Sequence, residues 1–162
     1  MGMMVLLGAF PKRHAMTDIV DRKTRSRMMA GIRGKDTKPE LVLRRALHAR
    51  GFRYRLHAGN LPGRPDLVLS KYRAVIFVHG CFWHRHKGCR YATTPASNVA
   101  FWERKFRQNV ERDKEVRKKL KEAGWRVAIV WECRLKGDGV EETVELVAEW
   151  LKASGIREVE FS

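Results

Sequence analysis

The sequence predicts an α/β fold in which helices flank a mixed β-sheet. Three observations predict it. The elements run helix, three strands, an irregular stretch, helix, strand, helix; the strand segments alternate or are continuously apolar; and the helices repeat apolar residues three and four apart. With 162 residues, 44% of them hydrophobic, there is enough chain for one buried core and too little for two.

Residues 1–16 read as a disordered N-terminal extension. Their apolar segment is shorter than a signal peptide's and is followed, not preceded, by Lys12, Arg13 and His14; Met16 is an alternative start. A single domain then spans 17–155, with 156–162 as a C-terminal tail. Residues 24–32 form a short basic helix. Thr37-Lys38-Pro39-Glu40 reads as a capping box that opens a helix through Leu41, Leu43, Ala46 and Leu47, stopped at Gly51. Phe52, Tyr54 and Leu56 alternate with Arg53, Arg55 and His57 as a half-buried strand. The turn Leu61-Pro62-Gly63-Arg64-Pro65 leads into two apolar strands, 66–69 and 73–78, separated by Ser70-Lys71-Tyr72. Residues 80–95 have no period. A long charged helix covers 98–123 and stops at Gly124. Trp125, Val127, Ile129 and Trp131 mark a strand, and Val140, Val144, Val147 and Leu151 a last amphipathic helix ending near Gly155.

Lys and Arg number 34 against 18 Asp and Glu, a net charge of +16. That excess points to nucleic acid as partner. A membrane span is excluded, because no apolar run approaches the roughly 18 residues it needs, and no basic amphipathic anchor stands out. Cys81, Cys89 and Cys133 are odd in number and unevenly spaced, a poor disulfide framework. A reducing cytoplasm with thiolates free for metal fits better.

Residues 79–91 hold three of the six histidines and two of the three cysteines. Cys81, His86 and Cys89 give C-x4-H-x2-C, and Cys133 can supply a distant fourth thiolate for zinc. A closed four-ligand site is structural, because it leaves no position for substrate. The competing reading makes the cysteines small buried hydrophobes. Pro65-Asp66 opens one strand and Phe77-Val78-His79 closes the next. If the two strands pair, Asp66 and His79 meet at one edge of the sheet, a carboxylate for a hard cation beside a base. Asp66 as a plain turn residue competes with this.

L-P-G-R-P-D (61–66), V-I-F-V-H-G-C-F-W-H (75–84), Phe101-Trp102, N-V-E-R-D (109–113) and G-W-R-V-A-I-V-W-E-C (124–133) together resemble the very short patch repair (Vsr) DNA mismatch endonucleases. D-R-K-T-R-S-R-M (21–28) is similar to that family's N-terminal arm. The resemblance runs from about residue 16 to about residue 151. It implies a restriction-endonuclease-like fold of the PD-(D/E)xK type with a structural zinc. It further implies a Mg²⁺-dependent nick 5′ of the thymine in a T·G mismatch, the lesion left by 5-methylcytosine deamination. Asp66 matches the metal-binding aspartate, helped by the Val78 backbone carbonyl, where valine replaces a usual threonine. His79 stands where related nucleases carry a lysine, His84 matches the second active-site histidine, and Glu40 the helix glutamate. Cys81, His86, Cys89 and Cys133 match the zinc ligands, with one extra residue between His86 and Cys89. Phe82, Trp83 and Trp102 match the aromatics that wedge into the duplex. The implied partner is double-stranded DNA carrying the mismatch, bound by a monomer in the cytoplasm of a bacterium at its nucleoid. A MutL-type repair protein is a further suggested partner.

Each transferred residue has a plainer role. Glu40 suits a capping box, His84 could replace His86 on zinc, and Trp102 could be core beside Phe101 and Phe106. The charge run 104–121 mixes both signs, as a solvated helix face laced by i,i+4 pairs does. Arg22, Lys23, Arg25 and Arg27, with no acidic partner beyond Asp21, are the cleaner phosphate contacts. Two rivals stand: a zinc-stabilised DNA-binding module without catalysis, and a nuclease of another class that recognises DNA structure.

Overall fold

The computed structural model describes Asp21, Lys23, Thr24, Ser26, Arg27 and residues 34–162. The expected extension 1–16, Arg22, Arg25 and most of the helix 24–32 lie outside the described residues. Among the described residues from 34 onward, three helices and five strands run in the order α1 (Lys38–Ala49), β1 (Arg55–Leu56), β2 (Leu67–Leu69), β3 (Ala74–His79), α2 (Val99–Glu122), β4 (Arg126–Trp131), α3 (Gly139–Lys152) and β5 (Glu158–Phe161). Short 3₁₀ turns occupy Ser70–Tyr72 and Glu132–Leu135. No described helix is long and apolar enough to cross a membrane.

The sheet is mixed, in sequence order β1-β2-β3-β4-β5. β1, β2 and β3 pair antiparallel, whereas β3, β4 and β5 run parallel. The reason lies in the connections: a three-residue turn can only reverse the chain, while α2 and α3 are long enough to bring it back for a parallel return. Side chains alternate across the sheet. Leu67, Leu69, Ile76, Ala128 and Val130 face a core shared with Leu43 and Leu47 of α1 and Val144, Val147 and Leu151 of α3. Val68, Val75, Phe77 and Val127 face the other way, against Leu120 of α2. Each fully buried leucine or valine there contributes on the order of 1.5–3 kcal/mol. Two helices thus cover one face, and α2 with the irregular loop covers the other.

Three expectations change. The strand at 52–57 shrinks to Arg55–Leu56: Phe52 is buried and Tyr54 half-buried, but Leu56 is exposed, so the alternation fails at its last step. Residues 156–162 are not a tail, since Glu158–Phe161 pairs along β4 and the two glutamates bind Arg117 of α2, with Lys121 also on Glu158. The capping box is displaced by one residue. The Thr37 hydroxyl donates to Glu40 Oε1 (2.9 Å), but Glu40 Oε2 accepts the Asp36 N–H (2.8 Å), not that of Thr37.

The turn before β2 is seated on α2. Gly63 adopts φ +72°, and a Cβ there would stand 2.4 Å from Val116 Cγ1, so only glycine lets the turn approach this closely.

Candidate functional site

One open cleft of about 1340 Å³ lies between the N-terminal turn of α1, the ends of β2 and β3, and the inner face of α2. Glu40, His57, Asp66, Val78, His79 and His84 line it, together with Asp113. The pairing of β2 with β3 brings Asp66 and the end of β3 together. Asp66 Oδ2 accepts the Val78 N–H at 2.7 Å, which fixes the carboxylate and leaves Oδ1 toward the cleft side of His57, whose Nδ1 is 3.8 Å away. Burial raises the Asp66 carboxyl to about 6, the Val78 N–H opposes that rise, and the Glu40 carboxylate adds to it.

Glu40 is 3% exposed. The hydroxyl and N–H just described hold both of its oxygens, and His57 Nε2 lies 4.0 Å from Oε2. Capping and cleft lining are therefore both true of this side chain. His57 itself sits at φ +46° with Nε2 buried and, among the described residues, without a hydrogen-bond partner. Asp36, paired to Arg44 at 2.8 Å, closes this corner.

His79 and His84 are stacked, with ring centroids 3.8 Å apart and 13° between planes. Burial, then the neighbouring His84, drives the His79 pKa down to about 3. A ring with so low a value is uncharged at neutral pH, unlike a lysine, and it packs against His84, Phe77 and Trp131. His84 Nδ1 is 2.5 Å from Asp113 Oδ2. Burial alone would raise Asp113, but the His84 hydrogen bond and nearby positive charge hold it below the ordinary carboxylate value. An ionised carboxylate only accepts, so Nδ1 carries the proton and Nε2 is left to accept one.

Behind this cleft, Cys81, His86, Cys89 and Cys133 bring one donor atom each within 4.8 Å of one another. His86 Nδ1 is 3.5 Å from Cys81 Sγ and 3.4 Å from Cys133 Sγ. Adjacent corners of a tetrahedral zinc site, at ~2.3 Å for sulfur and ~2.0 Å for nitrogen, are about 3.5 Å apart. Burial and the neighbouring thiols push Cys81 up to about 12. The extra residue between His86 and Cys89 does not remove Cys89 from the cluster. His84, held by Asp113, is not in it. His86 also stacks on Trp131, 4.2 Å between centroids. The four donors could hold a metal ion.

The loop is fixed from α2 as well. Asn109, buried, donates from Nδ2 to the Trp83 carbonyl at 3.1 Å. Phe82, Trp83, Trp102 and Phe106 make edge, tilted and stacked ring contacts between 5.1 and 5.9 Å, and Trp83 of this cluster lines the cleft. Phe106 is buried, Phe82, Trp83 and Trp102 are half-buried, and Phe101 is exposed. Trp102 is half-buried among Phe82, Trp83, Phe101 and Phe106. Of the four expected phosphate contacts, Lys23 and Arg27 are described, and both are exposed; Asp21 accepts the Thr24 N–H and hydroxyl beside them. The run 104–121 does form i,i+4 pairs, Lys119 with Glu115 and Lys118 with Glu122. Arg117 and Lys121 instead tie α2 to β5.

Asp113, Asn109, His57 and Asp36 were not singled out from the sequence as site residues. For two of them a signal exists. Trp102, Phe106, Asn109, Asp113, Val116 and Leu120 recur three or four apart, so two polar side chains sit on the inward stripe of α2. A polar residue on an apolar stripe marks a buried partner.

The DNA mismatch endonuclease Vsr family model matches residues 17–90. The chain is 44% identical over 143 residues to DNA mismatch endonuclease Vsr of Escherichia coli K12, covering 86% of this chain and 91% of that protein. It is 45% identical over 127 residues to the type II nicking enzyme V.XorIIP of Xanthomonas oryzae pv. oryzae, covering 78% and 93%. It is also 45% identical over 125 residues to the type II nicking enzyme V.NmeAIP of Neisseria meningitidis, covering 77% and 89%. With so much of both chains matched, this chain belongs to the DNA mismatch endonuclease Vsr family.

Proposed function

We propose that this endonuclease nicks one strand of duplex DNA 5′ of the thymine in a T·G mismatch, on a restriction-endonuclease-like sheet. The observation that carries the reading is the convergence of Asp66, Glu40 and the His79–His84–Asp113 array on one cleft. A buried carboxyl pushed up to about 6, in part by a second carboxylate at Glu40, suits a divalent cation that would keep it ionised. Asp66 and the Val78 carbonyl would hold Mg²⁺, whose charge, when bound, stabilises the negative charge growing on the scissile phosphate and the 3′-oxygen.

His84 Nε2 takes the proton of the attacking water, because Asp113 fixes the other ring nitrogen as N–H and favours the imidazolium that forms. His79 stays neutral under it and sets the plane of the His84 ring. Glu40, held by Thr37 and Asp36, orients water near Asp66 within the cleft. Cys81, His86, Cys89 and Cys133 would hold Zn²⁺, which when bound would pin the loop that carries His84, Phe82 and Trp83. Phe82, Trp83 and Trp102 fill the step opened at the mismatch, where unstacking is least costly. Lys23 and Arg27, with Arg22 and Arg25 outside the described residues, hold phosphates.

The test is incubation of end-labelled duplexes, one with a single T·G pair and one fully paired, with Mg²⁺ or EDTA. A Mg²⁺-dependent break at one position, 5′ of the mismatched thymine, is expected. Cleavage of both duplexes alike, or no cleavage at all, would overturn the reading.

A further inference from the structure

The turn that precedes β2 carries a charged side chain that the chemistry above leaves unused. Arg64 adopts φ +50°, a left-handed conformation in which Cβ crowds the backbone and which glycine takes most easily. Its neighbour Gly63 is also left-handed, at φ +72°, and lies so close to Val116 that a Cβ would clash. Pro62 and Pro65 flank the pair, and the Arg64 N–H donates to the Leu61 carbonyl at 3.2 Å. The backbone of the turn is thus restrained, and it mounts Arg64 on the wall of the cleft, with Asp66. The Cα atoms of Arg64 and Asp66 can be no more than about 7 Å apart.

Arg64 is exposed, and among the described residues its guanidinium has no hydrogen bond, ion pair or ring contact. Arg44 pairs with Asp36, Arg117 with Glu158 and Glu160, and Arg85 with the Thr93 carbonyl and the Phe106 ring; the other described arginines without a side-chain partner, Arg45, Arg55, Arg104, Arg107 and Arg157, do not line the cleft, whereas Arg64 does. A cation on a strained backbone with no protein partner, beside a cation-binding carboxylate, is poorly explained by folding. Strain of this kind persists where it places a side chain for a ligand.

We propose that Arg64 binds a backbone phosphate of the cleaved strand, next to the phosphate that Asp66 engages. The guanidinium fork matches two phosphate oxygens and carries no base information. The contact therefore sets the register of the strand in the cleft and not the choice of mismatch. This inference rests on the mismatch-nicking reading of the cleft and adds a specific phosphate site to it.

The experiment compares wild type, Arg64→Gly and Arg64→Lys on a T·G duplex and on the fully paired duplex, with binding measured in EDTA across a salt series. Arg64→Gly should weaken binding to both duplexes alike by roughly tenfold or more, the size of one charge-assisted contact. Its plot of log affinity against log salt should be shallower by about 0.9, one phosphate's worth. Its melting temperature should be equal to or above wild type, because glycine relieves the left-handed strain. Arg64→Lys should keep the salt slope and recover part of the affinity. An unchanged salt slope in Arg64→Gly overturns the proposal, and so does a lower melting temperature that falls with affinity, which would make Arg64 structural. Wild-type nicking with Mg²⁺ in the same preparations tests the parent reading separately: it can be intact while Arg64 proves irrelevant.

Discussion

Replacing Asp66 by asparagine should make the cation-free protein more stable at neutral pH, even though it removes a residue assigned to the chemistry. Asparagine is nearly isosteric, and its side-chain oxygen can still accept the Val78 N–H now bound at 2.7 Å. What disappears is a charge in a mostly buried position facing Glu40. Because the folded-state value of about 6 lies above the ordinary 3.8, the native state holds its proton more tightly than the unfolded chain. Stability from this group is complete below about pH 4 and lost as pH rises through about 6. The loss amounts to about 3 kcal/mol by pH 8, to order of magnitude. For a domain of this size that is roughly 6–12 °C in melting temperature. Thermal melts in EDTA should therefore show Asp66→Asn level with wild type near pH 4 and several degrees above it at pH 8. Millimolar Mg²⁺ should close the gap by stabilising wild type alone. A mutant less stable at pH 8, or a difference that does not change with pH, would refute the claim that Asp66 is a destabilised carboxylate awaiting a cation.

Three other outcomes follow from the same geometry. Asp113→Asn should cut single-turnover nicking by about 10²–10⁴-fold with mismatch binding retained, because an amide no longer fixes the His84 tautomer or its charged form; a rate within threefold of wild type would remove His84 as the base. Cys133→Ala should lower zinc content, read by metal analysis, together with melting temperature, and full zinc occupancy would take Cys133 out of the site. Trp83→Ala should weaken binding to a T·G duplex by roughly ten- to a hundredfold and barely alter binding to paired DNA at the same salt; equal losses on both would make Trp83 a packing residue.

The parts of the fold that depend on local pattern were legible in the chain. β3, β4, α2 and α3 fall within a residue or two of where periodicity puts them, because each buries a regular stripe. β5 was not legible. Its four residues include Glu158 and Glu160, which look like tail residues until Arg117 and Lys121, some forty positions earlier, are brought alongside. The same limit applies in the cleft. Asp66, His79, His84 and the four sulfur and nitrogen donors lie in short motifs with unusual composition, and these motifs converge. Asp113 is one acid in a run of mixed charges, 29 residues from His84, and only its place on the inner stripe of α2 separates it from its solvated neighbours. His57 looks like an outward strand residue, and the turn of its backbone to φ +46° is set by tertiary packing.

The most direct test of the account measures binding and nicking side by side on the same T·G duplex for wild type and Asp66→Asn. The carboxylate serves the chemistry, whereas affinity comes from phosphate contacts and stacking elsewhere. Nicking with Mg²⁺ should fall to background while affinity in EDTA stays within a fewfold of wild type. Parallel loss of both, or nicking that survives the substitution, would contradict the assignment of this cleft as the catalytic centre.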